Sequence, residues 1–249
     1  MTTETQEPRF TRRTSLLSLG GRLAGAAGWK AAEAEPAVGP AAIASGAVSC
    51  MLTPELTEGP YYIANEKLRT NITEGRPGTP LTLKLAVVDA STCRAISGAL
   101  VDIWHCDAGG IYSGYSSLSS GAAAPGPGGP GGHQAPTDKL NFMRGIQKTN
   151  AQGIATFQTV YPCWYRGRTV HIHVKVHIGG RVEHTGQLFF PDSLTDTVYK
   201  KRPYSNRPGR DMRNADDSIF RNGGSKSLLA LHRSGNGYVG AITMGVATA

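Results

Sequence analysis

The residues best able to do chemistry lie close together in Tyr161-Pro162-Cys163-Trp164-Tyr165-Arg166-Gly167-Arg168-Thr169-Val170-His171-Ile172-His173. Two tyrosines, arginines and a His-x-His pair fall within one short stretch. The pair opens the run HIHVKVHI, in which polar and apolar residues alternate strictly. That is the period of a strand, so His171 and His173 share a face. Side chains two apart on one face stand roughly 6–7 Å apart at the root, close enough for both imidazoles to reach one metal ion. Phenolate oxygens beside imidazole nitrogens form a hard, electron-rich donor set that suits ferric iron better than zinc.

Two other readings fit the same run. In an amphipathic surface strand, His171, His173, Lys175 and His177 would face solvent and Ile172, Val174, Val176 and Ile178 the core. A three-histidine zinc site would recruit His177 and a bound hydroxide for hydrolysis. Against zinc, His177 lies about 20 Å along the strand from His171, and the cation Lys175 stands between them.

The elements that must position these residues read as short strands between turns. Strand signals cover Leu81 to Val88, Ala99 to His105, Phe142 to Gln147, Ile154 to Val160, His171 to Ile178, Glu183 to Phe190 and Gly237 to Val246. Asp89-Ala90-Ser91-Thr92 and Asn150-Ala151-Gln152-Gly153 read as turns, and Ser193 to Lys200 as a short helix. Residues 114–138 form a Gly-, Ser-, Ala- and Pro-rich loop containing PGPGGPGG. No long 3.6-residue period and no solenoid repeat occurs. The pattern predicts an all-β protein, a β-sandwich of two mixed or antiparallel sheets with long active-site loops.

The length of 249 residues, 39% of them hydrophobic, suits one large domain with an N-terminal appendage. Thr11-Arg12-Arg13-Thr14-Ser15-Leu16-Leu17 resembles a twin-arginine export motif, and a weakly apolar stretch, Leu19 to Trp29, follows it. That stretch is short and broken by Arg22, so it is no membrane span. The expected organisation is a signal and linker over residues 1–48 and a catalytic domain over 49–249, exported to the cell envelope or beyond. The formal charge is +8, and a basic cluster (Lys200, Lys201, Arg202, Arg207, Arg210, Arg213) reads as a solvated loop. No nucleic-acid motif accompanies it. Cys50, Cys93, Cys106 and Cys163 contain no C-x-x-C pair, which argues against a cysteine zinc site; two disulfides would have three pairings open to them.

Four spaced motifs occur in one order: Thr57-Glu58-Gly59-Pro60-Tyr61-Tyr62, Val101-Asp102-Ile103-Trp104-His105-Cys106-Asp107, Gly110-Ile111-Tyr112-Ser113, and the block from Tyr165 to His173. Together, from about Cys50 to Val246, the chain resembles the intradiol ring-cleavage dioxygenases, closest to their secreted bacterial branch. The resemblance implies a mononuclear non-haem Fe(3+) held by Tyr112, Tyr165, His171 and His173, with Tyr165 preferred to Tyr161 from its place in the motif. It implies that Arg168 stabilises developing negative charge, that Gln187 orients substrate or dioxygen, and that Tyr165 leaves the metal as substrate binds. Tyr61 and Tyr62 would pack near the pocket, Trp104 in the core. The implied reaction cleaves catechol-type diols between the hydroxyl-bearing carbons with O2, giving cis,cis-muconate products. Catechol, protocatechuate, hydroxyquinol and lignin-derived aromatics are the candidate substrates. A non-catalytic module that binds aromatic compounds on the same sandwich is the competing class. Two departures from the intracellular enzymes, a short Tyr165–His171 connection and no helical dimerisation segment before Cys50, bear on pocket shape.

Overall fold

The computed structural model describes residues 34–119 and 134–248. The twin-arginine motif, the apolar stretch after it and the PGPGGPGG run lie outside the described residues. The described chain runs α1 (Gly39–Ala44), β1 (Pro80–Asp89), β2 (Leu100–Trp104), α2 (Ser116–Ser119), β3 (Arg144–Lys148), β4 (Ile154–Val160), β5 (His171–Ile178), β6 (Arg181–Phe189), α3 (Asp192–Tyr199), α4 (Ser218–Arg221), β7 (Ala230–Ser234) and β8 (Gly237–Val246).

The strands make two four-stranded sheets, ordered β4-β1-β8-β7 and β3-β2-β5-β6. In the first, β1 and β8 run parallel while the other pairs are antiparallel; the second is antiparallel throughout. This is the all-β sandwich expected, with one mixed and one antiparallel sheet. Alternation explains the packing. Leu81, Leu83, Leu85 and Val87 of β1 join Val101 and Ile103 of β2 and Ile172, Val174 and Val176 of β5 in one core, each at most 1% exposed. Burying such a side chain contributes roughly 2 kcal/mol.

Most element bounds shift by one or two residues from those the sequence predicts, and β3, β7 and the basic cluster depart in ways that have a physical cause. β3 starts at Arg144 rather than Phe142, because Met143 takes a left-handed φ of 56° that no strand accommodates. The edge strand β7 was not anticipated: it is short, largely exposed and has no buried face to impose an apolar alternation. The basic cluster is only partly solvated. Arg210 pairs with Asp192 and Asp196 of α3 at 2.9 and 3.0 Å, and Arg207 lies over the Trp164 ring.

An N-terminal arm joins the two sheets. A disulfide ties Cys50 to Cys93 in the turn after β1. The Thr53 amide donates to the Gly245 carbonyl on β8 at 2.8 Å, and the Leu56 amide to Thr185 on β6 at 2.9 Å. Residues 57–62 then pass over the outer face of the second sheet.

Candidate metal and catalytic site

That outer face holds the His-x-His pair. β5 is a central strand, and its register sets Trp104 of β2 and Gln187 of β6 on either side of His173. Trp104, His173 and Gln187 therefore form one cross-strand row on one face. The Trp104 and His173 rings stack, 4.9 Å apart and 6° from parallel. His171 and His173 are 2% and 1% exposed, so this is no solvated strand face. Residues 57–62 cover part of it, and Gly59 is needed there. Its φ is +74°, and a Cβ would stand 3.0 Å from the His173 ring.

Three loops supply the other groups. Tyr112 comes from the connection between β2 and α2, which is braced at several points. Asp107 accepts from the amides of Gly109 and Ile111 at 2.8 and 3.0 Å. Buried Arg144 donates to the Ser113 carbonyl through Nε at 3.1 Å and Nη2 at 2.8 Å. The Tyr112 amide donates to Ser119 Oγ at 2.9 Å. Tyr165 and Arg168 bridge each other across a tight turn, and Gly167 makes that turn with a φ of +81°. Asp217, the N-cap of α4, comes from the long connection between β6 and β7.

The four expected metal donors converge. Tyr165 Oη lies 3.1 Å from His171 Nε2, and His171 Nε2 lies 3.1 Å from His173 Nε2. The Tyr112 ring is 5.6 Å from that of Tyr165 and 6.2 Å from that of His173. His171 Nδ1 lies 2.7 Å from the Thr169 carbonyl, an acceptor, so Nδ1 carries the proton and the Nε2 lone pair points inward. Burial, reinforced for His171 by Arg168 and for His173 by His171, holds both imidazoles far below their ordinary pKa, hence neutral. Burial also pushes the Tyr165 phenol up to about 12 and the Tyr112 phenol well above its usual value, with Arg168 opposing the rise in both. The Tyr112 hydroxyl is buried with no hydrogen-bond partner among the described residues. The inward lone pair of His171, the neutral imidazole of His173, whose Nε2 lies 3.1 Å away, and two phenols that only a strong local cation would deprotonate fit a ferric ion.

Arg168 and Gln187 meet beside this cluster. Arg168 Nη2 donates to Gln187 Oε1 at 2.6 Å, and Gln187 Nε2 donates to the Thr57 carbonyl at 2.8 Å. Both ends of the amide are engaged, which makes Gln187 a prop for Arg168 as well as a wall of the site. Arg168 Nε donates to Asp217 Oδ2 at 2.8 Å. Burial works to raise the Asp217 carboxyl, but Arg168 and the amides of Thr169 and Phe220 outweigh it and hold it below the ordinary carboxylate range.

The remaining candidates fall elsewhere. Tyr161 is core: its hydroxyl bonds Thr195 Oγ1 at 2.7 Å and its ring packs 4.5 Å from Phe190. His177 lies beyond a register break after Val176, half-buried, and among the described residues no three His, Cys, Asp or Glu side chains gather as for a metal. Tyr61 packs 4.7 Å from Tyr112 and Tyr62 4.8 Å from Trp104. His105 is satisfied at both nitrogens, by Cys106 O and Thr159 Oγ1, each at 2.8 Å. Sequence reasoning missed Asp217, Arg144 and the Thr57 carbonyl. For Asp217 the only signal was an N-cap residue ahead of Ile219 and Phe220, and nothing in it pointed to Arg168.

Fold and site define an enzyme built on a β-sandwich, and comparison with solved structures names the class. The chain superposes on an intradiol ring-cleavage dioxygenase from Tetranychus urticae with a TM-score of 0.73 and 37% identity, over 80% of this chain and 95% of that one. It is 30% identical to the dioxygenase domain of a dioxygenase carbohydrate-binding protein fusion from Streptomyces sp. SirexAA-E, over 80% of this chain and 99% of that one, with a TM-score of 0.57. A 3-chlorocatechol 1,2-dioxygenase from Rhodococcus opacus 1CP shares the fold at 20% identity and a TM-score of 0.53, over 84% of this chain and 78% of that one. No family model matches the sequence, and no curated protein does. The chain belongs to the intradiol ring-cleavage dioxygenases, and it is an oxidoreductase.

Proposed function

We propose that this chain is an exported, iron(III)-dependent enzyme that cleaves catechol-type diols between their hydroxyl-bearing carbons, with Tyr112, Tyr165, His171 and His173 holding the metal. The observation that carries the reading is the convergence of Tyr165 Oη and two imidazole Nε2 atoms at 3.1 Å spacings in a buried pocket beside the Tyr112 hydroxyl. A ferric ion held there would supply the Lewis acidity and electron-accepting capacity that diol cleavage by dioxygen needs. Both oxygen atoms enter the product, the ring C–C bond breaks and no external reductant is consumed.

The side chains divide the remaining work. Tyr165 would help hold the ion, and its Oη is placed to take up one of the two substrate protons. Arg168, held by Asp217 and Gln187, faces the negative charge that develops on the ring and its carbonyl, an electrostatic role set in place before reaction. His171 and His173 stay neutral ligands, fixed by Thr169 and by the Trp104 stack. Residues 57–62 cover the pocket and exclude water. Support for export comes from the twin-arginine motif at residues 11–17 and from the Cys50–Cys93 disulfide, which suits an oxidising compartment. No described helix is long and apolar enough to cross a membrane.

The test is direct. The purified protein should be coloured, hold about one iron per chain, and take up oxygen with catechol to give a muconate. Colourless protein carrying zinc would overturn the reading. Iron-loaded protein that binds catechol without oxygen uptake would instead support the binding module.

A further inference from the structure

We infer that Asp217 is a positioning residue for the reaction, one carboxylate that holds both the charge-stabilising arginine and Thr169, the residue whose carbonyl orients His171. This rests on the roles proposed above for Arg168 and His171. Asp217 Oδ2 accepts from Arg168 Nε at 2.8 Å and from the Thr169 amide at 2.9 Å. Its other oxygen, Oδ1, accepts from the amides of Ile219 and Phe220 at 2.8 and 3.1 Å, anchoring the carboxylate at the start of α4. Thr169, held at its N–H by Asp217, presents the carbonyl of its following peptide unit to His171 Nδ1 at 2.7 Å. Asn214 locks the same residue from the side: Thr169 Oγ1 donates to Asn214 Oδ1 at 2.7 Å, and Asn214 Nδ2 donates to the Phe190 carbonyl at 2.9 Å.

The Asp217 side chain is 1% exposed and that of Arg168 14%. A pair this dry holds its geometry firmly, and removing one partner strands the other. With Nε on Asp217 and Nη2 on Gln187, Arg168 has two of its three nitrogens committed. Nη1 has no hydrogen-bond partner among the described residues and remains for the reacting ligand. The neighbouring segment repeats the pattern, since Asp211 accepts from the Gly167 amide at 3.2 Å. Residues 211–217 thus grip the turn that carries Tyr165 and Arg168 at each of its last three positions, Gly167, Arg168 and Thr169.

Asp217→Asn is the informative variant. Asparagine caps helices as well as aspartate does, so the α4 start is kept while the charge opposite Arg168 is lost. Expected are unchanged iron content and iron-derived colour, a roughly ten- to hundredfold fall in kcat, and a KM for catechol within about threefold of the parent. In the Arg168→Ala background Asp217→Asn should cost little more, because its effect on kcat runs through the arginine. In metal-free protein, phenylglyoxal labelling of the Arg168 peptide, read by mass spectrometry, should quicken severalfold. Should Asp217→Asn fail to fold, Asp217→Ser, which keeps a capping oxygen, takes its place in every measurement. Parent-like kcat, losses that multiply with those of Arg168→Ala, or unchanged labelling would overturn the inference. Parent protein with no oxygen uptake, or Arg168→Ala with full activity, would instead overturn the underlying reading, and the labelling still judges Asp217.

Discussion

The carbonyl oxygen of Thr169 lies 2.7 Å from Nδ1 of His171, two residues further along the chain. That contact decides which ring nitrogen carries the proton, and so leaves a buried histidine with its Nε2 lone pair aimed inward, as the proposed ligand role requires. His171→Ala or His173→Ala should lower iron affinity by at least about tenfold. His177→Ala should leave the iron content of purified protein unchanged. Metal analysis of the three variants checks both statements, and loss of iron in His177→Ala would contradict the assignment.

The two tyrosines at 161 and 165 should part company on mutation. Tyr161→Phe removes a buried hydrogen bond to Thr195, whose hydroxyl still reaches the Pro191 carbonyl at 3.2 Å. The cost should be about 1 kcal/mol of stability, with colour and kcat retained. Tyr165→Phe should change the visible spectrum and cut kcat by a hundredfold or more, with little change in denaturation midpoint. Spectra and urea titrations of both proteins separate these outcomes.

Asp102 makes stability depend on pH. Burial pushes its carboxyl up to about 7, against the pull of the Tyr62 hydroxyl. Between pH 4 and 7 the folded state therefore binds a proton that the unfolded chain has released, and stability from this group falls as pH rises. Asp102→Asn has no such proton. Its stability relative to the parent should rise by about 4 kcal/mol between pH 4 and pH 8. A pH-independent difference in unfolding free energy would refute this.

The Cys50–Cys93 disulfide spans a sequence separation of 43. A crosslink over such a loop is worth about 4 kcal/mol in the chain-entropy account. The Cys50→Ser, Cys93→Ser double variant should lose about 4 kcal/mol. Because the arm leads into the Thr57 carbonyl that holds Gln187, KM for catechol should rise severalfold as well. Loss of stability with KM unchanged would show that the arm does not reach the site.

The strands were legible because their patterns record burial: β5 runs over the very residues whose alternation announced it, and β4 and β8 over the residues whose strand signals marked them. Tyr165, Arg168 and the histidines sit close together in sequence, so one stretch displayed most of the site. Gln187 and Trp104 flank His173 by strand register, which no local pattern encodes. Asp217 was harder still. It lies 49 residues from Arg168, and a capping aspartate looks the same whether or not an arginine rests on its second oxygen. Among cysteines, the pairing depends on which turn the arm meets, a matter of tertiary path alone.

The N-terminal arm has a mechanical consequence. Cys50 is clamped to the turn after β1 and Thr53 to β8, ahead of the residues that roof the pocket. A pull or a tethered load applied upstream of Cys50 is diverted through the sulfur link into the body of the first sheet. The roof over His173 then rides with the sandwich and is insulated from whatever the chain carries before it.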